Sequence, residues 1–269
     1  MISTRTSFPA PKSGTVPTPE LRVYAFIPRI PPVTTELTAL ELSEKLSPLK
    51  AAERLRVLHQ EFGNRVVATT SFGLQAAVML HFIHHHAPEV PVIFIDTGYL
   101  FPETYHYIET LMEKWPVNLR TFMPRLTAAR QEALYGKLWE QGKEGNDKYA
   151  LINKIEPMNR ALKEIGADVW ISGLRRSQSS TRVHRPFAEQ QNKTLKVYPI
   201  LDWADAQVAA YMAANHIPPH PLADQYVTMG DWHSTSAAEQ GVEAEYTRYN
   251  GQKYECGLHE VSPNSDFQI

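Results

Sequence analysis

Pro91 is followed by Val92-Ile93-Phe94-Ile95, an almost wholly apolar run that closes on Asp96-Thr97-Gly98. A strand with no polar alternation has to be covered on both faces, which is the signature of a parallel sheet inside an α/β domain. The neighbouring segments agree. Arg65-Val66-Val67-Ala68-Thr69-Thr70 is a short β-branched run that Ser71-Phe72-Gly73 breaks, and Ala76, Met79, Leu80 and Ile83 then follow the i, i+3, i+4, i+7 spacing of a helix. Pro102 suits the first turn of another helix, striped by Ile108, Leu111, Met112 and Trp115. A third strand is expected at 119–123, helices at 127–136 and 149–165, a strand at Val169-Trp170-Ile171-Ser172-Gly173, a short strand at 195–200, and a helix capped by Asp202 through Asn215.

Strands alternating with helices predict an α/β fold with a doubly wound, mostly parallel sheet. Ligands of such sheets sit at the carboxyl ends of the strands. There this chain places Thr69 to Gly73, Asp96 to Gly98 and Gly173 to Arg176. Three regions are expected: a proline-rich arm at 1–32, an α/β domain at 33–224, and a polar C-terminal segment at 225–269. The arm carries seven prolines and reads as a flexible segment with too little apolar surface to offset its ordering entropy, a basic targeting leader being the other reading.

Charge narrows the function. With 27 basic and 29 acidic residues the net charge is −2, so no whole-molecule field draws the protein onto nucleic acid, and an anionic ligand needs a local basic site. No apolar run approaches the ~18 residues of a membrane span, and the chain reads as soluble and cytoplasmic. The single cysteine, Cys256, excludes an intramolecular disulfide and a one-chain cysteine set for zinc or an iron–sulfur cluster.

The turn Thr69 to Gly73 offers hydroxyls and backbone N–H groups at a helix start, which bind anions but more often merely cap. The stretch from Gly173 through Arg175, Arg176 and Arg182 concentrates guanidiniums, hydroxyls and amides after a strand, suited to bidentate oxyanion binding, with a solvated basic loop as the alternative. Lys154 adds a cation or stands on an exposed helix face. His81 and His85, spaced i, i+4, invite a metal, but no third ligand accompanies them, and histidines in a last helical turn suit the helix dipole. Cys256, flanked by Glu255, Gly257 and His259 in a polar segment, reads as an exposed, reactive thiol rather than a core residue.

Together these pieces resemble the assimilatory phosphoadenylyl-sulfate (PAPS) reductases that use thioredoxin. The resemblance runs from about Leu55 to Glu260. It rests on Ser71-Phe72-Gly73-Leu74-Gln75-Ala76-Ala77-Val78, Asp96-Thr97-Gly98-Tyr99-Leu100-Phe101-Pro102-Glu103-Thr104, Tyr135-Gly136-Lys137-Leu138-Trp139-Glu140 and Lys154-Ile155-Glu156-Pro157-Met158. Gly173-Leu174-Arg175-Arg176, Gly230-Asp231-Trp232-His233-Ser234-Thr235 and Glu255-Cys256-Gly257-Leu258-His259-Glu260 complete it. Two departures stand out: Thr69-Thr70 in place of a usual Ser-Ser, and Asp224-Gln225-Tyr226 without the glycine that many members carry before the tyrosine.

The resemblance implies an adenine-nucleotide α-hydrolase fold related to the ATP pyrophosphatases, a mobile tail, and a homodimer. It implies that the Cys256 thiolate attacks the terminal sulfur of PAPS, that adenosine 3′,5′-bisphosphate leaves, and that thioredoxin resolves the S-sulfocysteine through a transient mixed disulfide. His259 is the second catalytic candidate. Ser71, Phe72, Gly73, Asp96, Thr97, Gly98, Lys154, Gly173, Arg175, Arg176, Arg182, His233 and Arg248 are the expected substrate-binding residues. No bound cofactor, metal or iron–sulfur cluster is expected, because the cluster-bearing adenylyl-sulfate (APS) reductases need a Cys-Cys pair and a Cys-x-x-Cys that this chain lacks. The competing readings are a cluster-free APS reductase, an ATP pyrophosphatase and a silent nucleotide sensor.

Overall fold

A computed structural model describes residues 37–237. Helices α1 (Ala39–Leu46) and α2 (Ala51–Phe62) precede strand β1 (Val66–Thr70), and α3 (Ala76–His86) leads to β2 (Val92–Ile95). Helix α4 (Pro102–Lys114) leads to β3 (Leu119–Phe122), followed by α5 (Ala128–Tyr135) and a long helical arm made of α6 (Gly142–Ala150), a π-helical turn (Leu151–Ile155) and α7 (Glu156–Ile165). Strand β4 (Val169–Ile171), the hairpin of β5 (Ala188–Gln191) and β6 (Thr194–Val197), and α8 (Asp205–Ala214) complete the described elements.

The six strands form one sheet in the order β3-β2-β1-β4-β6-β5, parallel except for the edge strand β5. Ala68 of β1 pairs with Val92 on one side and Ile171 on the other, so β1 and β4 lie where the chain reverses its winding direction. The pleat divides the core. Val66 and Ala68 face the larger cluster, with Leu42, Leu55, Leu58, Leu80, Ile83 and Leu111, while Val67, Ile93 and Trp170 face Met158 and Ala161 of α7. The doubly wound parallel sheet expected from the sequence is the fold observed, and Pro102 occupies the first turn of α4.

Four local readings differ. Helix α3 is not a one-sided amphipathic helix: every residue from Ala77 to Ile83 is buried, His81 included. The helix expected at 149–165 begins at Gly142 and widens at Leu151–Ile155, where the Glu156 N–H donates to the Leu151 carbonyl. Pro157 follows at once and has no N–H to donate, so the register changes where a regular ladder would already be broken. The sequence gives no hint of β5, whose Ala-Glu-Gln-Gln lacks β-branched residues. Asp202 does not cap α8. Its carboxylate accepts two bonds from the buried Arg54 at 2.7 and 2.8 Å, and Gln207 Oε1 accepts from the Ala204 N–H at the helix start instead.

Arg54 is 1 % exposed and also donates to the carbonyls of Leu46 and Pro199, so one guanidinium ties α1, α2 and the segment after β6 together. Arg54→Ala leaves those acceptors without a donor and is expected to lower unfolding free energy by about 3 kcal/mol, read from urea denaturation at unchanged m-value. Although burial pushes the Asp202 carboxyl up, Arg54 holds it below its ordinary value. The stability from this shift is therefore present above the unfolded carboxylate pKa of ~3.9 and is lost as pH falls through the folded value. Arg54→Ala should flatten the stability decline in that acid range.

Candidate active site

A cavity of about 490 Å³ opens at the carboxyl ends of β1, β2 and β4, where the strand order reverses. Ser71 and Gly73 reach it from the β1 turn, Thr97 from β2, Ser172 and Gly173 from β4, Lys154 from the π-helical turn, and Arg175 and Arg182 from the loop after β4. Ile93, Ile95, Met158 and Trp170 give it an apolar wall. A pocket with such walls and a few converging polar groups has the character of a small-molecule site.

The β1 turn is built around Phe72, which has a φ of 49°, unusual for a residue with a bulky side chain. Thr70 Oγ1 accepts its N–H at 3.1 Å, and its fully buried ring packs edge-on against Phe94 at 5.0 Å. Phe72 is thus absent from the cavity wall, contrary to its expected role. It anchors the turn that exposes Ser71 and Gly73. Thr69, the other half of the Thr-Thr pair, accepts from Trp170 Nε1 at 2.7 Å and donates to the Ile171 carbonyl, bridging β1 to β4.

After β4, close approach demands a glycine: a Cβ on Gly173 would lie 2.7 Å from Met79 Cγ. The two adjacent arginines then separate. Arg175 is 1 % exposed, with Nη1 at 2.7 Å from Asp205 Oδ1 and 2.8 Å from Ser177 Oγ, and Nη2 bonded to Gln75. Arg182 donates to Gln178 Oε1 at 2.7 Å, and the same oxygen accepts the Arg175 N–H. Arg176 points elsewhere: its Nε and Nη2 donate to the Arg185 carbonyl and its guanidinium lies 5.2 Å over the Phe187 ring, so it supports the loop rather than the cavity.

At the end of β2, Asp96 and Gly98 form a turn outside the wall. Asp96 Oδ1 accepts from the Gly98 N–H at 2.9 Å and from the Tyr105 hydroxyl at 2.8 Å, and Gly98 has the left-handed φ of 76° that the turn requires. Thr97 faces inward and donates to Asp231 Oδ1 at 2.5 Å. The other oxygen of Asp231 lies 2.7 Å from Lys154 Nζ. Both side chains are buried, so Lys154 is not the exposed helical lysine that its sequence context also allowed. Burial pushes the Asp231 carboxyl up, yet Lys154, Thr97 and His233 together hold it below its ordinary value.

The π-helical turn aims Lys154. Asn153 beside it is fully buried and exchanges two hydrogen bonds with Gln131 of α5, at 2.8 and 2.9 Å. Such a reciprocal amide pair fixes the rotation of the turn. His233 also lies off the cavity wall. Its ring stacks on Trp139 at 4.1 Å and 12° and meets Tyr149 and Tyr99 edge-on, an aromatic box that holds the Gly230 to Thr235 segment. Burial, then Glu132, pushes the Tyr99 hydroxyl up to about 12. The loop before this segment, where Asp224-Gln225-Tyr226 lacks a glycine, is turned by the buried His220, which contacts Thr104 at 3.1 Å and accepts the Leu222 N–H.

His81, of the pair read for a metal, has Nδ1 2.7 Å from the Tyr211 hydroxyl, and burial with the neighbouring histidines pushes it down to about 4. Cys256, His259 and Arg248 lie outside the described residues. Asp231 stands out as a site residue that sequence reasoning did not single out, although it was part of a quoted motif. The signal available was an acid between Gly230 and Trp232 in a segment with its own aromatic anchors.

The mostly parallel sheet thus carries a strand-end crevice that combines hydroxyls, a buried lysine and buried arginines against an apolar wall, the architecture of an α/β protein that binds a small anionic ligand. The model of the phosphoadenosine phosphosulfate reductase domain matches residues 65–237, and the chain belongs to that family. The phosphoadenosine 5′-phosphosulfate reductase of Zymomonas mobilis is 46% identical over 232 residues, covering 86% of this chain and 95% of that protein. The one from Salmonella choleraesuis is 47% identical over the same shares. The crystal structure of PAPS reductase from Candida auris, a phosphate complex, aligns with a TM-score of 0.65 at 33% identity, covering 73% of this chain and 95% of that one. Candida glabrata FMN adenylyltransferase, at 11% identity and a TM-score of 0.52, shares the fold alone. The protein is an enzyme of sulfonucleotide reduction. Among the described residues no helix is long and apolar enough to cross a membrane.

Because Phe72 anchors the turn from below, Phe72→Leu should cost about 1–3 kcal/mol of stability. Chemical denaturation checks this, and an unchanged stability would place the ring outside the core.

Proposed function

We propose that this protein reduces 3′-phosphoadenylyl sulfate to sulfite, with Cys256 as nucleophile and thioredoxin as electron donor. The observation that carries the reading is the convergence of Lys154, Arg175 and Arg182 on one strand-end cavity in a chain whose net charge is only −2. A small polyanion is what such a confined cluster suits.

The nucleotide lies along the crevice, with Ser71, Gly73, Ser172 and Gly173 beside it and the phosphosulfate toward Lys154 and the arginines. The Cys256 thiolate attacks the terminal sulfur. The S–O bond to the 5′-phosphate breaks, its electron pair leaves with the bridging oxygen, and Cys256 carries the –SO₃⁻ group. Cations near the bridging oxygen stabilise the charge that develops there. A thioredoxin thiolate then attacks Cys256 Sγ and expels sulfite, and the second thioredoxin thiol resolves the mixed disulfide. Sulfate sulfur is reduced by two electrons and the dithiol is oxidised by two. With one cysteine in the chain, the second thiol pair must come from another molecule.

Cys256 lies nineteen residues beyond Ala237, the last described position. An extended chain of that length reaches at most about 60 Å, ample to bring the thiol to the cavity. His259 and Arg248 lie in the same segment and are proposed to join the phosphosulfate contacts, with His259 beside the nucleophile.

Cys256→Ser should lower sulfite release by at least ~10³-fold while adenosine 3′,5′-bisphosphate still binds, measured by a thioredoxin-coupled assay and calorimetry. Wild-type turnover in that variant would contradict the reading. In the same assay PAPS should be preferred to APS, and equal kcat/KM for the two would reassign the enzyme to the cluster-free APS branch.

A further inference from the structure

Asp231 is a buried carboxylate in contact with Lys154 in the wall of the cavity, and its two oxygens are divided. Oδ1 accepts the Thr97 hydroxyl at 2.5 Å, and Oδ2 lies 2.7 Å from Lys154 Nζ. The hydroxyl of Thr97 thus fixes the rotation of the carboxylate and leaves its second oxygen for the ammonium. An ammonium buried without a counter-charge sheds its proton or draws in water, whereas one with a buried carboxylate beside it stays charged and in place. Lys154 carries three donors. Beside Asp231, Lys154 also lines the cavity.

The carboxylate is not needed to fasten the segment it belongs to. Backbone atoms and rings do that: the Trp232 N–H donates to the Tyr99 carbonyl at 2.9 Å, Thr235 Oγ1 donates to the Asp231 carbonyl at 2.9 Å, and His233 stacks on Trp139. Lys154 itself is carried on the π-helical turn, which the Asn153–Gln131 pair holds. The two sides of the ion pair have their own backbone anchors, share the Tyr149 ring, and meet at the end of β2.

We propose that Asp231 is a positioning residue for sulfonyl transfer: its carboxylate, oriented by Thr97, keeps the Lys154 ammonium charged and aimed at the phosphosulfate of the substrate. Asp231 touches no reacting atom and acts through Lys154 alone. The inference rests on the PAPS-reduction reading above.

The test is a double-mutant cycle on the full chain with Asp231→Asn, Lys154→Met and the double variant. The readouts are single-turnover sulfonation of Cys256 by PAPS and calorimetric binding of adenosine 3′,5′-bisphosphate. Asp231→Asn should slow sulfonation about 100-fold, the scale of a small misplacement at a reacting centre, with a lesser effect on nucleotide binding. In the Lys154→Met background the same substitution should change the rate by no more than about twofold, because nothing remains for Asp231 to position. The double variant, with its neutral pair, should also melt higher than Lys154→Met, which strands a buried carboxylate. Equal losses from Asp231→Asn in both backgrounds would overturn the inference in favour of a purely structural role, as would a wild-type rate in the single variant. A wild-type chain that gains no sulfonate would instead contradict the underlying reading, so the two failures are distinct.

Discussion

The reversal of strand order between β1 and β4 is the constraint on which the rest of the structure depends. A helix follows β1 and a long loop follows β4, and a crevice opens at the carboxyl ends of the two strands. Every group that converges there is brought by a different element: a turn after β1, a hydroxyl after β2, a loop after β4 and a widened helical turn before it. A buried cluster of cations is tolerable because each has a polar partner, two of these being carboxylates. Arg175 has Asp205, Arg182 has Gln178, and Lys154 has Asp231. This pairing explains how a nearly neutral chain presents a site suited to a polyanion without a basic surface.

Much of the sheet was legible in the sequence because its strands carry strong local signals. Val92-Ile93-Phe94-Ile95 has no polar residue and is buried at its first three positions, and Pro102 starts α4 where its fixed φ suits a first turn. What was hidden depends on tertiary partners. Nothing local distinguishes Arg175 from Arg176, since both follow β4 within one turn. Only the fold shows that one meets Asp205 beside the cavity and the other a carbonyl of its own loop. Asp202 looked like a cap because caps and ion-pair partners share the same residue types, and Arg54 lies 148 positions away.

The π-helical turn was equally invisible, although Pro157 marked the place where an ordinary helix would lose a bond. The π-helical turn carries Asn153 and Lys154 in the interior, so a lysine that the sequence also allowed on an exposed helix face lines the cavity. Phe72 erred in the other direction. Its motif placed it at the strand end, and the strain of a positive φ is held there by a ring that belongs to the core. The motifs marked the strand ends that line the cavity; side-chain direction had to come from packing.

The proposed function turns on bringing one thiol to this cavity, and the most direct measurement is of that thiol. The full chain, incubated with PAPS in the absence of any dithiol and mapped by tandem mass spectrometry, should carry one sulfonate per molecule, on the peptide containing Cys256. Adding reduced thioredoxin should release it as sulfite. Sulfite formed while Cys256 remains unmodified, or a sulfonate carried elsewhere, would contradict the account.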